Sequence, residues 1–443
     1  ARRPGDEADS EPGSASRSGE ITNIDTTSHS STNGGPEIAS KESRNVLRAR
    51  LVVITILIVV AALISSGVFL ITSRAQEKEF NAQWQGNSLQ ILRSFEAIVN
   101  EKFGAISSLV VSFTSYARGQ NLTWPFVTMN DFQQRGKIAL QVSNAIYTHI
   151  MPIVSDENRE KWEEYSIQNN GWIHDADDYI KAIGLDDVNL FGPLSNRNED
   201  TLVDFSSGIA NKIYSIENKT FQPIPAKRSP KYYPIWQQSP PYLSLVNDNF
   251  VEAVGYGPFV DVCAATGDIV LGDCEVYPPG NVSSPHPFTS VHAFMLSYAA
   301  GEYVEYSGDP ITPIFLPVFD SYTEDRKLVA IMYAVIAWKS YFFNILPNNV
   351  EPIVVVLANS CHGPFTYIID GPDVQFVGAG DFHSAKMEQY AEHLDLKDLL
   401  SGSINGIGLN QDICQYNLTV YPTESNYNQY NTSKLDSWLE LLV

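Results

Sequence analysis

The side chains of this chain that are capable of chemistry do not form a known catalytic pattern. The sequence contains no G-x-S-x-G, H-E-x-x-H, P-loop or C-x-x-C motif. Asp381 and His383 stand two residues apart and could ligate a metal, but such a pair is more typical of a surface turn. The Gly-Ala-Gly segment at 378–380 lacks the third glycine of a dinucleotide fingerprint and predicts a β-turn. We therefore predict no catalytic residue, no metal site and no cofactor.

An aromatic-rich segment at 231–240, with the sequence KYYPIWQQSP, is the densest candidate for ligand binding. Aromatic walls with a few polar groups are typical of small-molecule pockets. An edge strand and turn that pack their aromatic side chains into the core would have the same pattern. The segment alone leaves both interpretations open.

The composition indicates an acidic, foldable chain. Its 29 Lys and Arg residues stand against 51 Asp and Glu residues, which gives a formal net charge of −22. Such a surface repels nucleic acid and anionic lipid head groups, so we expect neither as a partner. An apolar fraction of 44% suffices for a sizeable core, and 443 residues predict two or three domains.

Residues 51–73 contain no charged side chain and predict a membrane-spanning helix. A bilayer core requires about 20 apolar residues in helical form. The polar stretch that precedes the span is too long for a cleaved signal peptide. Four basic residues precede the span closely, and the positive-inside rule therefore predicts a cytoplasmic N-terminus: Lys41, Arg44, Arg48 and Arg50. Residues 1–50 then form a disordered cytoplasmic tail, and the bulk is extracellular at the plasma membrane.

Glycosylation sequons support this orientation because all of them follow the span. The five candidates are Asn121, Asn218, Asn281, Asn417 and Asn431.

The four cysteines also follow the span, and an even number in an oxidising compartment predicts two disulfides. Sequence order favours Cys263 with Cys274 and Cys361 with Cys414; buried thiols are the alternative.

Apolar residues at helical spacing continue after the span and predict a stalk helix over 74–118 that ends at Gly119. Its stripe could pack on its own domain or on the same helix of a second chain, which would make a homodimer. The stripe consists of Phe80, Trp84, Ile91, Phe95, Ile98, Val99, Phe103, Ile106, Val110, Phe113 and Ala117.

The remaining sequence predicts an α+β fold. Helices are expected at 131–144 and from Ser155 or Asp156 to about Ile167, with a short helix at 338–346 before Pro347. Strand-like runs bounded by Gly, Pro and Asn occur at 314–319, 328–338, 353–358, 365–369 and 374–377, of which 328–338 suits a central strand.

Several segments, in their order along the chain, resemble the CHASE-type extracellular sensor of diatom receptor-type guanylate/adenylate cyclases. They are WPFVT at 124–128 with DF at 131–132, PIV at 152–154 with ENREKWE at 157–163, YPIW at 233–236, PVFD at 317–320, NILP at 344–347, and FTY at 365–367 with DGP at 370–372. The resemblance covers residues 44–425.

This resemblance implies a stalk helix that carries two PAS-like α/β units, at 119–340 and 341–443, with a small ligand in the distal one. It also implies Asp248 as the acidic ligand-binding residue, with Tyr233 and Trp236 as pocket walls. The family has a second span and a cytoplasmic cyclase domain, which these 443 residues do not contain, so its activity is not assigned to them.

The sequence thus favours a ligand-sensing, transmembrane signalling module of a receptor-type cyclase that contacts the lipid bilayer through residues 51–73. A single-pass adhesion or co-receptor protein that binds another protein is the alternative. An ectoenzyme would require a cleft of clustered acids, for which the sequence gives no indication.

Overall fold

The computed structural model describes residues 35–173, 175, 212–216, 223–240, 245–252, 256–274, 276, 309–347, 350–400 and 407–431. The chain divides into two compact units, Ala1–Thr72 and Ser73–Val443. Within the described residues, one helix, α1 (Gly35–Gly119), is long and apolar enough to cross a membrane. The side chains of its most apolar window are not buried, as the predicted span requires.

Helix α1 begins and ends at glycines. Its end at Gly119 confirms the predicted stop. Its start at Gly35 lies inside the segment for which the composition predicted disorder. The physical reason is local: Pro36 suits the first turn of a helix, and no further Gly or Pro occurs until Gly67.

The second unit combines helices with two larger, mainly antiparallel sheets and is of the predicted α+β class. Its other helices are α2 (Phe132–Ser143), α3 (Arg159–Gln168), α4 (Gly257–Thr266), α5 (Leu396–Leu400) and α6 (Glu424–Asn431). Its first strands are β1 (Ala145–Pro152), β2 (Val154–Ser155), β3 (Tyr214–Ile216), β4 (Pro223–Pro225), β5 (Lys231–Tyr232), β6 (Gln238–Ser239), β7 (Ile269–Leu271), β8 (Ile311–Phe319) and β9 (Leu328–Ala337). The others are β10 (Ile353–Asn359), β11 (Gly363–Asp370), β12 (Asp373–Ala379), β13 (Glu392–Asp395), β14 (Leu409–Asn410) and β15 (Tyr416–Pro422).

The six-stranded sheet has the order β14-β7-β8-β9-β1-β6, and the five-stranded sheet has the order β12-β11-β10-β15-β13. Strand β14 pairs in parallel with β7, so a short strand from late in the chain joins the earlier sheet. Strand β9 lies between β8 and β1 and is almost wholly buried, which confirms the central strand predicted at 328–338. Both predicted helices at 131–144 and 155–167 are also confirmed to within a few residues.

The apolar stripe of α1 packs on its own chain, which is the first of the two alternatives. Trp84 Nε1 donates to the backbone oxygen of Tyr390, 2.7 Å away, beside the five-stranded sheet. Further along the helix, Thr114 Oγ1 donates to the backbone oxygen of Phe319 at 2.9 Å, at the end of β8. Residues 80–117 of α1 therefore contact elements of both sheets.

The helix predicted at 338–346 is only a 3₁₀ turn, Trp338–Tyr341, so that prediction is wrong beyond residue 341. Two tertiary features stop it. The Ser340 carbonyl accepts a hydrogen bond from Lys102 Nζ at 2.8 Å rather than continuing a helix. Asn344 has a left-handed backbone with φ 59°, which ends helical geometry.

The Gly-Ala-Gly segment is not the predicted β-turn. Gly378 is still paired with Thr366 at the end of β12. Gly380 has φ 132°, and a Cβ built on it would lie 3.0 Å from the Phe382 ring, so this position requires glycine. Its carbonyl accepts a hydrogen bond from Thr366 Oγ1, which anchors the strand end.

One of the two predicted disulfides is present. Cys361 and Cys414 are bonded, with Cα atoms 5.4 Å apart. Cys263 and Cys274 remain buried thiols, so the prediction of their pairing is wrong. The Cys263 thiol is directed at the Phe315 carbonyl on β8, 3.8 Å away, whereas Cys274 lies within electrostatic reach of Tyr416. The two sulfur atoms therefore have different neighbours.

Candidate functional site

The three predicted ligand-binding residues, Tyr233, Trp236 and Asp248, are all buried, but they do not line one shared pocket. Tyr233 lies near Asp261 of α4, and burial together with that carboxylate raises the pKa of its phenol to about 12. Trp236 instead donates its indole N–H to Thr128 Oγ1 at 3.0 Å. Side chains three apart on an extended segment point to opposite sides, which explains why the two rings diverge.

A cavity of about 490 Å³ lies at the C-terminal end of α1. It is lined by the last turn of α1, by the segment after it, and by α3 with the residues that follow. Its aromatic lining residues are Tyr116, Phe126, Tyr165 and Trp172. Small-molecule pockets typically have volumes of about 300 to 1,000 Å³ and aromatic walls, so this cavity is the candidate binding site.

Trp236 supports this cavity from behind. Its ring meets Trp172 nearly edge to face, with 5.5 Å between centroids, and meets Tyr165 at 6.3 Å. On the cavity side, Phe126 packs on Tyr165 at 5.5 Å. These contacts hold the aromatic walls in fixed orientations. Trp236 therefore acts on the cavity through its neighbours, not as a lining residue.

The hydroxyl of Thr128 connects this supporting ring to the wall. An indole N–H can only donate, so Thr128 Oγ1 accepts from Trp236. The same oxygen lies 2.8 Å from the Tyr165 hydroxyl. Burial raises the pKa of Tyr165, so its phenol keeps its proton at neutral pH. One threonine thus fixes two aromatic side chains.

Gln237 anchors the segment around Thr128 through hydrogen bonds to the next residue, Met129. Its side-chain oxygen accepts from the backbone N–H of Met129 at 2.7 Å, and its side-chain nitrogen donates to the Met129 carbonyl at 2.8 Å. Both groups of the amide are therefore bonded to one residue. The aromatic segment at 231–240 therefore packs its side chains into the core behind the cavity, which is the second of the two interpretations that the sequence left open.

The polar lining of the cavity is negative or neutral. Asp175 has the one carboxyl group among the described lining residues, and that lining contains no Lys, Arg or His. The amide side chains of Gln120, Asn130 and Asn169 supply both donors and acceptors. The cavity can therefore offer oxygen acceptors and aromatic surfaces, but no positive charge, to a ligand.

Asp248 lies apart from this lining, on the segment beside β3. Its carboxyl group is buried. Burial raises the pKa of Asp248 to about 8, and the charge of Glu252 adds to the effect. Glu252 itself accepts from Ser215 Oγ at 2.7 Å. Asp248 is thus mainly a neutral carboxylic acid at physiological pH.

His149 is a second buried polar group, for which sequence analysis made no prediction. Both ring nitrogens are shielded from water without a hydrogen-bond partner among the described residues. The imidazole stacks on Tyr333 with 4.6 Å between centroids and meets Phe250 edge to face at 5.0 Å. Burial lowers the pKa of His149 well below 6.5, so the ring is neutral. A histidine inside the largely apolar sequence AIYTHIMP of β1 was the available signal.

No protein-family model matches this chain, and no curated protein matches it significantly.

Motifs that carried the resemblance do contribute to the cavity. The WPFVT segment supplies Phe126 and Thr128, both in the lining. In the ENREKWE segment, Trp162 packs on Trp236 at 5.3 Å and donates to Asn247 Oδ1 at 3.0 Å. The lining residues that sequence reasoning missed come from positions far apart in the chain, and spacing alone does not bring these together.

The predicted pair does meet: His383 Nδ1 lies 2.5 Å from Asp381 Oδ1, within hydrogen-bond distance. The second imidazole nitrogen, Nε2, lies 2.7 Å from Glu388 Oε2. The ring also stacks on Tyr421 with 4.0 Å between centroids. Within the described residues, no group of three or more His, Cys, Asp or Glu side chains is placed to hold a metal ion.

Three of the five glycosylation candidates lie within the described residues. Asn121, after the end of α1, and Asn417, on β15, are exposed in the structure. Asn431 is the last residue of α6, while Asn218 and Asn281 lie outside the described residues.

Proposed function

We propose that this chain is the extracellular ligand-sensing and transmembrane signalling module of a receptor-type nucleotide cyclase. The supporting observation is the cavity of about 490 Å³, which has aromatic walls and includes Tyr116 from the last turn of α1. A ligand held there would contact the helix that also contains the candidate membrane span.

A ligand-induced structural change would be transmitted from the cavity along α1. From the cavity, the buried stripe of the helix passes the end of β8 at Thr114 and reaches Tyr390 at Trp84. A change in the packing of the C-terminal end of α1 would therefore alter the contacts of this helix with both sheets. A ligand can shift such an equilibrium only by its differential affinity for two arrangements, so the proposal requires a second state of α1.

PAS-like organisation is part of this proposal. Two antiparallel sheets that pack successively along one long helix support it, as does the position of the resembling segments in both sheets. Strand β14 belongs to the proposed unit at 341–443 but pairs with β7 of the proposed unit at 119–340. The two units therefore share a strand.

Placement at the plasma membrane with an extracellular bulk is also proposed. Exposure of Asn121 and Asn417 supports it, because oligosaccharyltransferase requires an accessible acceptor. In a eukaryotic expression host, treatment with an endoglycosidase should lower the mass of the wild-type chain. Loss of that shift in N121Q/N417Q would assign it to these sites. No glycan on any of the five sequons would contradict the orientation.

A homodimer remains a proposal as well. The apolar stripe of α1 is occupied by its own chain, so a dimer contact through the stalk would have to use a different face of the helix. The mass of the full chain in a nanodisc, measured by light scattering, distinguishes monomer from dimer.

A thermal-shift screen of the full chain in nanodiscs against small extracellular metabolites tests the sensor. A true hit should raise the Tm of the wild type and lose its effect in F126A, whose truncation opens the aromatic wall. The matched control is V142A, which truncates an exposed apolar residue of α2 outside the cavity lining. If no small molecule stabilises the chain while a second protein binds it tightly, the adhesion or co-receptor function replaces this proposal.

A further inference from the structure

We propose that the cavity at the end of α1 binds an organic cation, in particular a small alkylammonium or quaternary ammonium group. The inference rests on the proposed function, because it assigns a ligand class to the same cavity. It is carried by the combination of aromatic walls, one carboxylate and the absence of basic side chains from the described lining.

The aromatic lining of the cavity suits a cation. Tyr116, Phe126, Tyr165 and Trp172 line a single cavity, and the indole among them provides the most favourable ring for a cation. A cation is attracted to an aromatic face within about 6 Å of the ring centroid. Four aromatic side chains line one volume of about 490 Å³, enough to enclose an ammonium group that has shed part of its water.

The charge of the lining selects against anions. An anionic ligand would lose its hydration without meeting a Lys, Arg or His among the described lining residues. Asp175 instead offers a counter-charge to a cation, and the net charge of −22 attracts cations over a longer range.

The amides argue against a purely apolar ligand. Gln120, Asn130 and Asn169 would lose hydrogen bonds to water if hydrocarbon covered them. A cation with a hydroxyl or carbonyl on its tail can satisfy them while its ammonium group meets the rings.

The walls are also pre-organised. Thr128 accepts a hydrogen bond from Trp236 and lies within hydrogen-bond distance of Tyr165, while Trp172 and Trp236 meet nearly edge to face. Side chains already held in place cost little conformational entropy when a ligand binds. Such rigidity is typical of a binding site rather than of a loosely filled surface depression.

Choline and its neutral isostere 3,3-dimethylbutan-1-ol separate this inference from its alternatives. The two probes share shape and hydroxyl group and differ in charge. Calorimetry on the full chain in nanodiscs should give choline at least about tenfold tighter binding than the isostere, which is equivalent to about 1.4 kcal/mol. D175N should weaken choline several-fold and leave the isostere unchanged, and added salt should reduce this difference.

Trp172 supplies a second variant with a folding control. W172L should reduce choline affinity at least about tenfold, while W172F, which keeps a ring, should lose less. Each variant must retain the ligand-free Tm of the wild type. Because D175N alters an exposed side chain, its fold should be unaffected.

The outcomes distinguish failure of the cation inference from failure of the sensor proposal. Equal affinity for choline and the isostere, or no binding of choline, overturns the cation inference. If the screen at the same time yields a sugar or an anion whose binding depends on Phe126, the sensor proposal stands without it. If no small molecule binds at all, both fail.

Discussion

The imidazole of His149 lies flat on the phenol ring of Tyr333, with 4.6 Å between the centroids and 14° between the planes. The two residues are also paired across β1 and β9. This contact satisfies the ring face but not the ring nitrogens, both of which are buried without a partner in the described part of the chain. The core of the six-stranded sheet therefore contains an uncompensated polar group.

Replacing this imidazole by an aromatic hydrocarbon should stabilise the protein. H149F keeps the stack on Tyr333 and removes two buried polar atoms, each of which costs about 1 to 3 kcal/mol when it is left without a hydrogen bond. We expect the free energy of unfolding to rise by about 1 kcal/mol or more, measured by denaturant titration. H393F is the control and should not stabilise, because His393 bonds to Thr419 Oγ1 at 2.9 Å. A lower stability of H149F would mean that His149 has an essential partner.

The buried carboxyl group of Asp248 should make stability fall as pH rises. Its pKa is about 8 in the folded chain against 3.8 for the ordinary group. The folded state therefore binds an extra proton, and this contribution is fully present below 3.8 and lost as pH rises through 8. The slope should approach about 1.4 kcal/mol per pH unit at most.

Denaturant titrations between about pH 7 and 8 are the best measurement, because His149 is then mostly neutral in both states, its ordinary pKa being about 6.5. D248N should flatten the curve of the wild type over this range. Below it, His149 contributes the opposite slope, since its lowered pKa makes the folded state bind fewer protons as acid is added. Parallel curves for D248N and the wild type would show that Asp248 is ionised in the fold.

Thr128 should be the most sensitive position of the cavity wall. T128V has nearly the same shape but leaves the buried N–H of Trp236 without its acceptor and separates the Tyr165 hydroxyl from its partner. We expect a loss of about 1 to 3 kcal/mol in the free energy of unfolding.

The matched control for T128V is S108A, because Ser108 makes only a local, exposed bond to the Ala105 carbonyl. That change should stay within about 0.5 kcal/mol. Thermal melts of both variants in the same nanodiscs compare them directly. Equal effects would show that the Thr128 hydroxyl has no special role.

The disulfide between Cys361 and Cys414 closes a separation of 53 residues. Chain entropy assigns about 4 kcal/mol to a loop of this size, and measured values are usually about 2 to 4 kcal/mol. C361S/C414S should lose stability in that range. Thiol titration of the denatured, unreduced chain should detect two thiols, those of Cys263 and Cys274, and four after reduction. C263A should leave the disulfide intact; a change in its formation would indicate alternative pairing.

Local patterns predicted much of the fold. The helical stripe after residue 73, the central strand at 328–338 and the helix at 131–144 were predictable because each depends on neighbours in sequence. The failures at 338–346 and 378–380 have one origin. In both segments, a carbonyl is bonded to a distant side chain, that of Lys102 or of Thr366, which local propensity cannot include.

The candidate site was less predictable than the fold. The sequence indicated the segment 231–240 as aromatic and near a site, and Trp236 does support the cavity wall. Tyr233 and Asp248 face other neighbours, since alternation along extended chain and burial against α4 decide where each points. The aromatic lining residues Tyr116 and Trp172 come from segments that meet only when α1 and α3 pack together.

The sequence by itself determined the apolar span, the stripe of α1 and the acidic surface, because hydropathy, helical period and net charge are properties of the chain order alone. Only the tertiary structure decided what covers that stripe, which cysteines are bonded and which aromatic rings enclose the cavity. These depend on the distance between residues remote in sequence, and that distance is set by packing.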